Sequence, residues 1–151
     1  MRTVTIEVSR DVDAPAQDAW AVFADYARDH EWREGVQMRQ EPEGLAVPGA
    51  MTYERLVLLG SESRVVARIE EVEPGRRLSF RAIESDVPVR GERRVETKSE
   101  GKSRVTLRLE MSPSGLWAVI ARPVTFFFRR RVARDLDRLA ALVAGQRGSP
   151  R

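Results

Sequence analysis

From Gln37 to Met111 the chain alternates apolar and polar residues between turn signals, and from Leu116 onward that alternation stops. A period of two places successive side chains on opposite faces of a strand; recurrence at three and four residues places them on one face of a helix. Val105, Leu107, Leu109 and Met111, interleaved with Thr106, Arg108 and Glu110, form the clearest strand in the sequence. Met51 to Leu59, Arg64 to Val72, a segment marked by Leu78, Phe80 and Ala82, and one marked by Val87 to Val95 read the same way. Gln37 to Pro42 is a weaker strand. Gly60-Ser61-Glu62-Ser63, Glu73-Pro74-Gly75-Arg76 and Ser99-Glu100-Gly101-Lys102 supply tight turns, and hairpins this short join antiparallel neighbours.

The flanks of this block complete the architecture. Val4, Ile6 and Val8 make an opening strand that Asp11-Val12-Asp13-Ala14-Pro15 stops. Pro15 suits a first helical turn, where its missing N–H is not needed. Ala16, Ala19, Trp20, Phe23 and Ala27 mark one helical face running to Tyr26 or Arg28, followed by a short helix through Asp29-His30-Glu31-Trp32 that Gly35 ends. Val132, Leu136, Leu139 and Val143 place a long helix over Leu116 to Ala144, bent at Pro123 and capped by Gly145, with residues 146–151 a disordered tail. Six or seven antiparallel strands twist and curl into a concave face. The C-terminal helix, roughly 30 residues or about 45 Å long, is the only element that can cover it. The expected fold is α+β, one domain over residues 1–145. It is a helix grip: a curved antiparallel sheet of six to seven strands wrapped around a long C-terminal helix, with two short helices after strand 1. A helix laid across a curved sheet need not fill the space beneath it, so an internal apolar cavity is expected.

Composition narrows the chemistry. The 151 residues include no Cys and one His. That excludes a disulfide framework, a Cys-based zinc or iron–sulfur site and a thiol nucleophile, and leaves His30 as the sole imidazole for any metal site or triad. No cofactor and no metal are expected. The first residues lack the apolar core of a signal peptide, and the longest apolar stretch, Leu116 to Phe128, is interrupted by Arg122 and Pro123. It falls short of the ~20 residues a membrane span needs, so the expected compartment is the cytoplasm. Charge is segregated: residues 1–110 hold 18 basic and 21 acidic residues, whereas residues 111–151 hold eight Arg and two Asp.

Three segments carry a family likeness. Val8-Ser9-Arg10-Asp11-Val12-Asp13-Ala14-Pro15, then Ala19-Trp20-Ala21-Val22-Phe23-Ala24-Asp25-Tyr26, then Glu31-Trp32 resemble the opening of the START/Bet v 1-like (SRPBCC) superfamily, in its bacterial polyketide cyclase/dehydrase and lipid-transport branch. Pro48-Gly49-Ala50, Val72-Glu73-Pro74-Gly75-Arg76-Arg77-Leu78, Arg104-Val105-Thr106-Leu107 and Leu136-Asp137-Arg138-Leu139 extend the resemblance over residues 3–144. His30 before Glu31-Trp32, where the family often has Trp-Pro, and the Arg129-Arg130-Arg131 run depart from the pattern. The resemblance implies a helix-grip fold and a hydrophobic cavity for lipids, polyketides, sterols or quinones, with only some members catalytic. Binding or transport of a hydrophobic small molecule is the expected function. The alternatives are a cofactor-free polyketide cyclase or aromatase, in which an Arg or Tyr stabilises an enolate, and an adaptor acting through the basic C-terminal helix. Membership transfers no active site, so no catalytic residue is assigned.

The candidate ligand-binding residues each have a second reading. Phe23 is either core or cavity wall, and Trp32 either lines an entrance or packs. On the sheet, Phe80, Leu107 and Leu109 are candidates, as is the Met51, Tyr53, Arg55 face. Trp117 and Phe127 are candidates from the C-terminal segment. If they point inward, Arg55 and Arg93 are buried cations that call for a ligand carboxylate or enolate, or for an internal acid such as Glu71. A slip of one residue reverses the face. His30 is the one group titrating near neutrality, yet Arg28-Asp29-His30-Glu31 reads as a solvated run. Arg129, Arg130 and Arg131 beside three phenylalanines fit an anionic membrane surface better than nucleic acid, against the simpler reading of Phe127 in the cavity roof and arginines in water.

Overall fold

A computed structural model describes residues 3–58 and 60–148. In chain order these form β1 (Val4–Val12), α1 (Ala16–Phe23), a 3-10 helix (Tyr26–Glu31), β2 (Val36–Glu41), β3 (Met51–Leu58), β4 (Ser61–Glu73), β5 (Arg77–Glu84), β6 (Val89–Ser99), β7 (Lys102–Met111), α2 (Leu116–Val119) and α3 (Ala121–Gly148). The strands build one antiparallel sheet in the order β1-β7-β6-β5-β4-β3-β2. Strands β2 to β7 each pair with their chain neighbour, and β1 crosses to pair with β7, Val4 opposite Met111 and Val12 opposite Ser103. The two edge strands, β1 and β2, are therefore joined through α1 and the 3-10 helix. This is the expected α+β helix grip.

The long helix lies along β1 and packs on α1. At 28 residues it is about 42 Å long. The stripe Val132, Leu136, Leu139 and Val143 is buried as its spacing predicts. Two boundaries differ from expectation. A break after Val119 separates α2 from α3, so Pro123 lies in the first turn of α3, where proline is tolerated, and no continuous helix is bent there. At the other end α3 passes through Gly145 to Gly148, because Gly145 does not take the left-handed conformation of a helix-ending glycine. Residues 149–151 of the expected tail lie outside the described residues. Among the described residues no helix is long and apolar enough to cross a membrane.

Strand β3 corrects one expected face. Thr52 and Leu56 are buried with Glu54 beside them, whereas Arg55 and Val57 are exposed and Met51 and Tyr53 share their convex side. Arg39 of β2 stacks 4.0 Å from the Tyr53 ring centroid, and Arg55 bonds Glu62 at 2.8 Å and Gln37 at 3.2 Å. Met51, Tyr53 and Arg55 thus do not line the interior. The register follows Thr52 opposite Ala67 and Glu54 opposite Val65, which brings Glu54 inward to an arginine.

Candidate functional site

Strand β6 turns Gly91, Arg93 and Val95 to the concave side, as a period of two requires. Arg93 is only 3% exposed and Asp29, on the 3-10 helix, is 0% exposed. The two make a forked pair: Arg93 Nη1 donates to Asp29 Oδ1 at 3.0 Å and Nη2 to Oδ2 at 2.6 Å. Nη1 also donates to the Phe23 carbonyl at 2.8 Å. Asp29 Oδ2 accepts Arg33 Nη1 at 3.1 Å, and Arg33 reaches Glu54 at 2.7 Å. Four alternating charges, Arg93, Asp29, Arg33 and Glu54, therefore cross from the middle of the sheet to β3.

The local helix type explains the geometry. A 3-10 helix has three residues per turn, so Tyr26, Asp29 and Trp32 stack on one face. Tyr26 and Trp32 close over Arg93, with the guanidinium carbon 4.0 Å from the Tyr26 ring centroid and 5.3 Å from the Trp32 and Phe23 centroids. Phe23 and Trp32 meet edge to face at 5.7 Å. Burial opposes the charges of Arg93 and Arg33, but Asp29 beside both and Glu54 beside Arg33 outweigh it and hold both above the usual arginine value. Burial pushes the Tyr26 phenol up to about 12, with Arg93 pulling it down and Asp29 raising it. The Tyr26 Oη, Trp32 Nε1 and Arg93 Nε atoms are buried with no hydrogen-bond partner among the described residues.

This knot is a clamp. Both terminal nitrogens of Arg93 are committed to Asp29, and the aromatic lid removes the pair from solvent. Arg93 points inward as expected, but its partner is Asp29, while Glu71 pairs with Arg77 at 2.7 Å elsewhere. Phe23 and Trp32 are fully buried parts of the same cluster. His30 is exposed, its Nδ1 3.0 Å from the Ala27 carbonyl. Sequence reasoning misses Asp29, Tyr26, Arg33 and Glu54 as site residues. The signal for three of the cluster's members is the three-residue spacing of Tyr26, Asp29 and Trp32.

The opposite end of the concave face is different. There Val89 pairs with Met111, Phe128 of α3 packs against the core, and Arg129 donates to the Thr5 carbonyl at the start of β1. Leu107 is buried, but Phe80, Leu109, Met111 and Phe128 pack against the core while keeping part of their surface in solvent, and Phe127 is half-buried beside Phe128. Gly91 makes room for this wall: a Cβ there would lie 2.5 Å from Phe80 Cζ and 2.6 Å from the Arg108 carbonyl oxygen. The Trp117 side chain lies outside the described residues. Two hollows are open to solvent, and among the described residues neither is lined by α3. One, of about 320 Å³, is lined by His30, Arg33, Arg55 and Val57 among others; the second, of about 200 Å³, lies around Arg81, Arg90, Arg108 and Glu110. Among the described residues no group of three His, Asp or Glu side chains could hold a metal ion.

A curved sheet gripping one long helix, with a sealed polar end and an apolar open end, defines a helix-grip domain, and solved structures share it. The chain is similar to the Zhui aromatase/cyclase from Streptomyces sp. R1128 at 18% identity and TM-score 0.79, covering 94% of each chain. It is similar to TTHA0849 from Thermus thermophilus at 16% identity and TM-score 0.81, covering 97% of this chain and 100% of that one. It is also similar to Ara h 8.0201 at 13% identity and TM-score 0.69, covering 95% and 99%. At such identities the likeness is one of fold. A search of curated proteins found no match. Residues 3–144 match the family described as polyketide cyclase / dehydrase and lipid transport, and the chain belongs to that family.

Proposed function

We propose that this protein binds a hydrophobic small molecule, of lipid, polyketide or quinone type, between the concave face of the sheet and the first turns of α3. The observation that carries this reading is the incompletely buried apolar wall of Phe80, Leu109, Met111 and Phe128 at one end of the interior. Each square ångström of that wall a ligand covers is worth about 25 cal/mol. The later turns of α3 are anchored by buried Val132, Leu136, Leu139 and Val143, whereas residues 121–128 have no fully buried side chain. Those early turns are the part that can yield to admit a ligand. The lipid transport in the family's description and the aromatase/cyclase name of one fold neighbour support the substrate class. A cyclase would need polar groups free to face the ligand. The charged side chains of the knot, Arg93, Asp29, Arg33 and Glu54, are paired with one another and stand apart from the apolar wall, so binding is the reading favoured.

Native mass spectrometry of the purified chain tests this, together with titration by 1-anilinonaphthalene-8-sulfonate and displacement by oleate. The expected result is a retained apolar mass or saturable dye uptake that oleate reverses and Met111→Trp blocks. The absence of both a retained mass and saturable uptake would overturn the reading.

A further inference from the structure

We propose that the outer face of α2 and of the first turns of α3 docks on an anionic lipid surface. The argument rests on exposure and charge at this segment and is independent of the ligand reading above. Arg122, Phe126, Arg130 and Arg134 follow one another at four-residue intervals, which puts them in one stripe along the helix. All four are exposed, Phe126 at 64%. Just before the stripe, Val119 is 79% exposed and Ile120 41% exposed. Large apolar side chains this exposed, rimmed by cations, have the composition of a helix that lies in a membrane interface.

The charges differ from those on the rest of the surface. On the sheet, several arginines at the surface have carboxylates: Arg55 has Glu62, Arg90 has Glu110, Arg104 has Asp11 and Arg108 has Glu7. Farther along α3, Arg138 reaches Asp135 and Glu34. From Met111 to Arg134 the sequence holds no Asp or Glu. Among the described residues Arg122, Arg130 and Arg134 meet no carboxylate, and the Arg130 guanidinium carbon lies 5.9 Å from the Phe126 ring centroid. Among the described residues, positive charge is thus uncompensated where Val119, Ile120 and Phe126 protrude. Arg131 is not part of the face, because it turns back to donate to the Glu34 carbonyl. The lipid surface is favoured over nucleic acid because phosphates alone would leave Val119 and Phe126 in water.

The experiment is co-sedimentation of the full chain with vesicles of pure phosphatidylcholine and with vesicles that are one-third phosphatidylserine. Binding to the anionic vesicles, weakened by high salt, is expected, with little binding to the neutral ones. An arginine near an anionic leaflet strengthens partitioning about fivefold, so R122Q/R130Q/R134Q lowers it on the order of 100-fold. V119S/F126S lowers it with every arginine intact, and R90Q on the sheet leaves it unchanged. Circular dichroism and melting verify that the variants are folded. Equal binding to both vesicle types, or an unchanged triple variant, would overturn the proposal. So would a wild-type dimer by light scattering that V119S/F126S dissolves, since the face would then serve self-association.

Discussion

The two ends of the interior are built from the same curved sheet and the same long helix, yet they are closed by different means. At the α1 end the Arg93–Asp29 pair is sealed under Phe23, Tyr26 and Trp32, and an ionic chain runs on from it through Arg33 to Glu54 toward the surface. At the α2 end apolar residues are left partly in solvent. A buried ion pair loses hydration that its own attraction only partly restores, so it contributes geometry more than net stability. What it defines here is the seat of the 3-10 helix against mid-sheet, a rigid floor. The open end has no directional contacts of that kind among its described wall residues, which meet the core through apolar packing.

The sharpest way to break this contrast is to remove half of the clamp. Asp29→Asn or Arg93→Met leaves an unmatched buried group and is expected to lower unfolding stability in urea by about 3–5 kcal/mol. The double variant Asp29→Leu/Arg93→Met is expected to recover much of that loss, and a single variant as stable as wild type would refute the clamp. A smaller effect compares like with like. Phe23→Ala, in the sealed cluster, is expected to cost about 3–5 kcal/mol, and Phe128→Ala, on the open wall, no more than about half as much. Equal losses would mean that the ends are packed alike. The smallest effect is a titration. Tyr26 has its folded value raised to about 12 from 10.0, so the stability it contributes is complete below pH 10 and is lost as pH rises toward 12. Alkaline difference absorbance should show this phenol ionising late, and Tyr26→Phe should remove that step and flatten the stability slope.

Much of the fold was legible because strict alternation in β7 and helical spacing from Val132 to Val143 leave one burial solution each. The wrong face of β3 has a physical cause. Met51, Tyr53 and Val57 look more apolar than Thr52, Glu54 and Leu56, but Glu54 belongs inside because Arg33 awaits it there. Apolar counting fails where a buried charge pair defines the register. Asp29 was hidden in the same way, between Arg28 and His30 in a run that reads as solvated. A 3-10 helix, with its three-residue period, aligns it with Tyr26 and Trp32, and four-residue helical spacing does not reveal that. Arg93 pointed inward by strand parity alone; which acid answered it depended on a contact 64 residues away.

Methyl NMR of the protein labelled at methionine, titrated with oleate, tests the two-ended interior most directly. Met111 sits on the open wall, whereas Met51 is on the convex side of β3 and serves as an internal control. The account predicts that the Met111 methyl shifts saturably while Met51 stays in place. A Met111 signal that does not move, or a Met51 signal that moves as far, would contradict it.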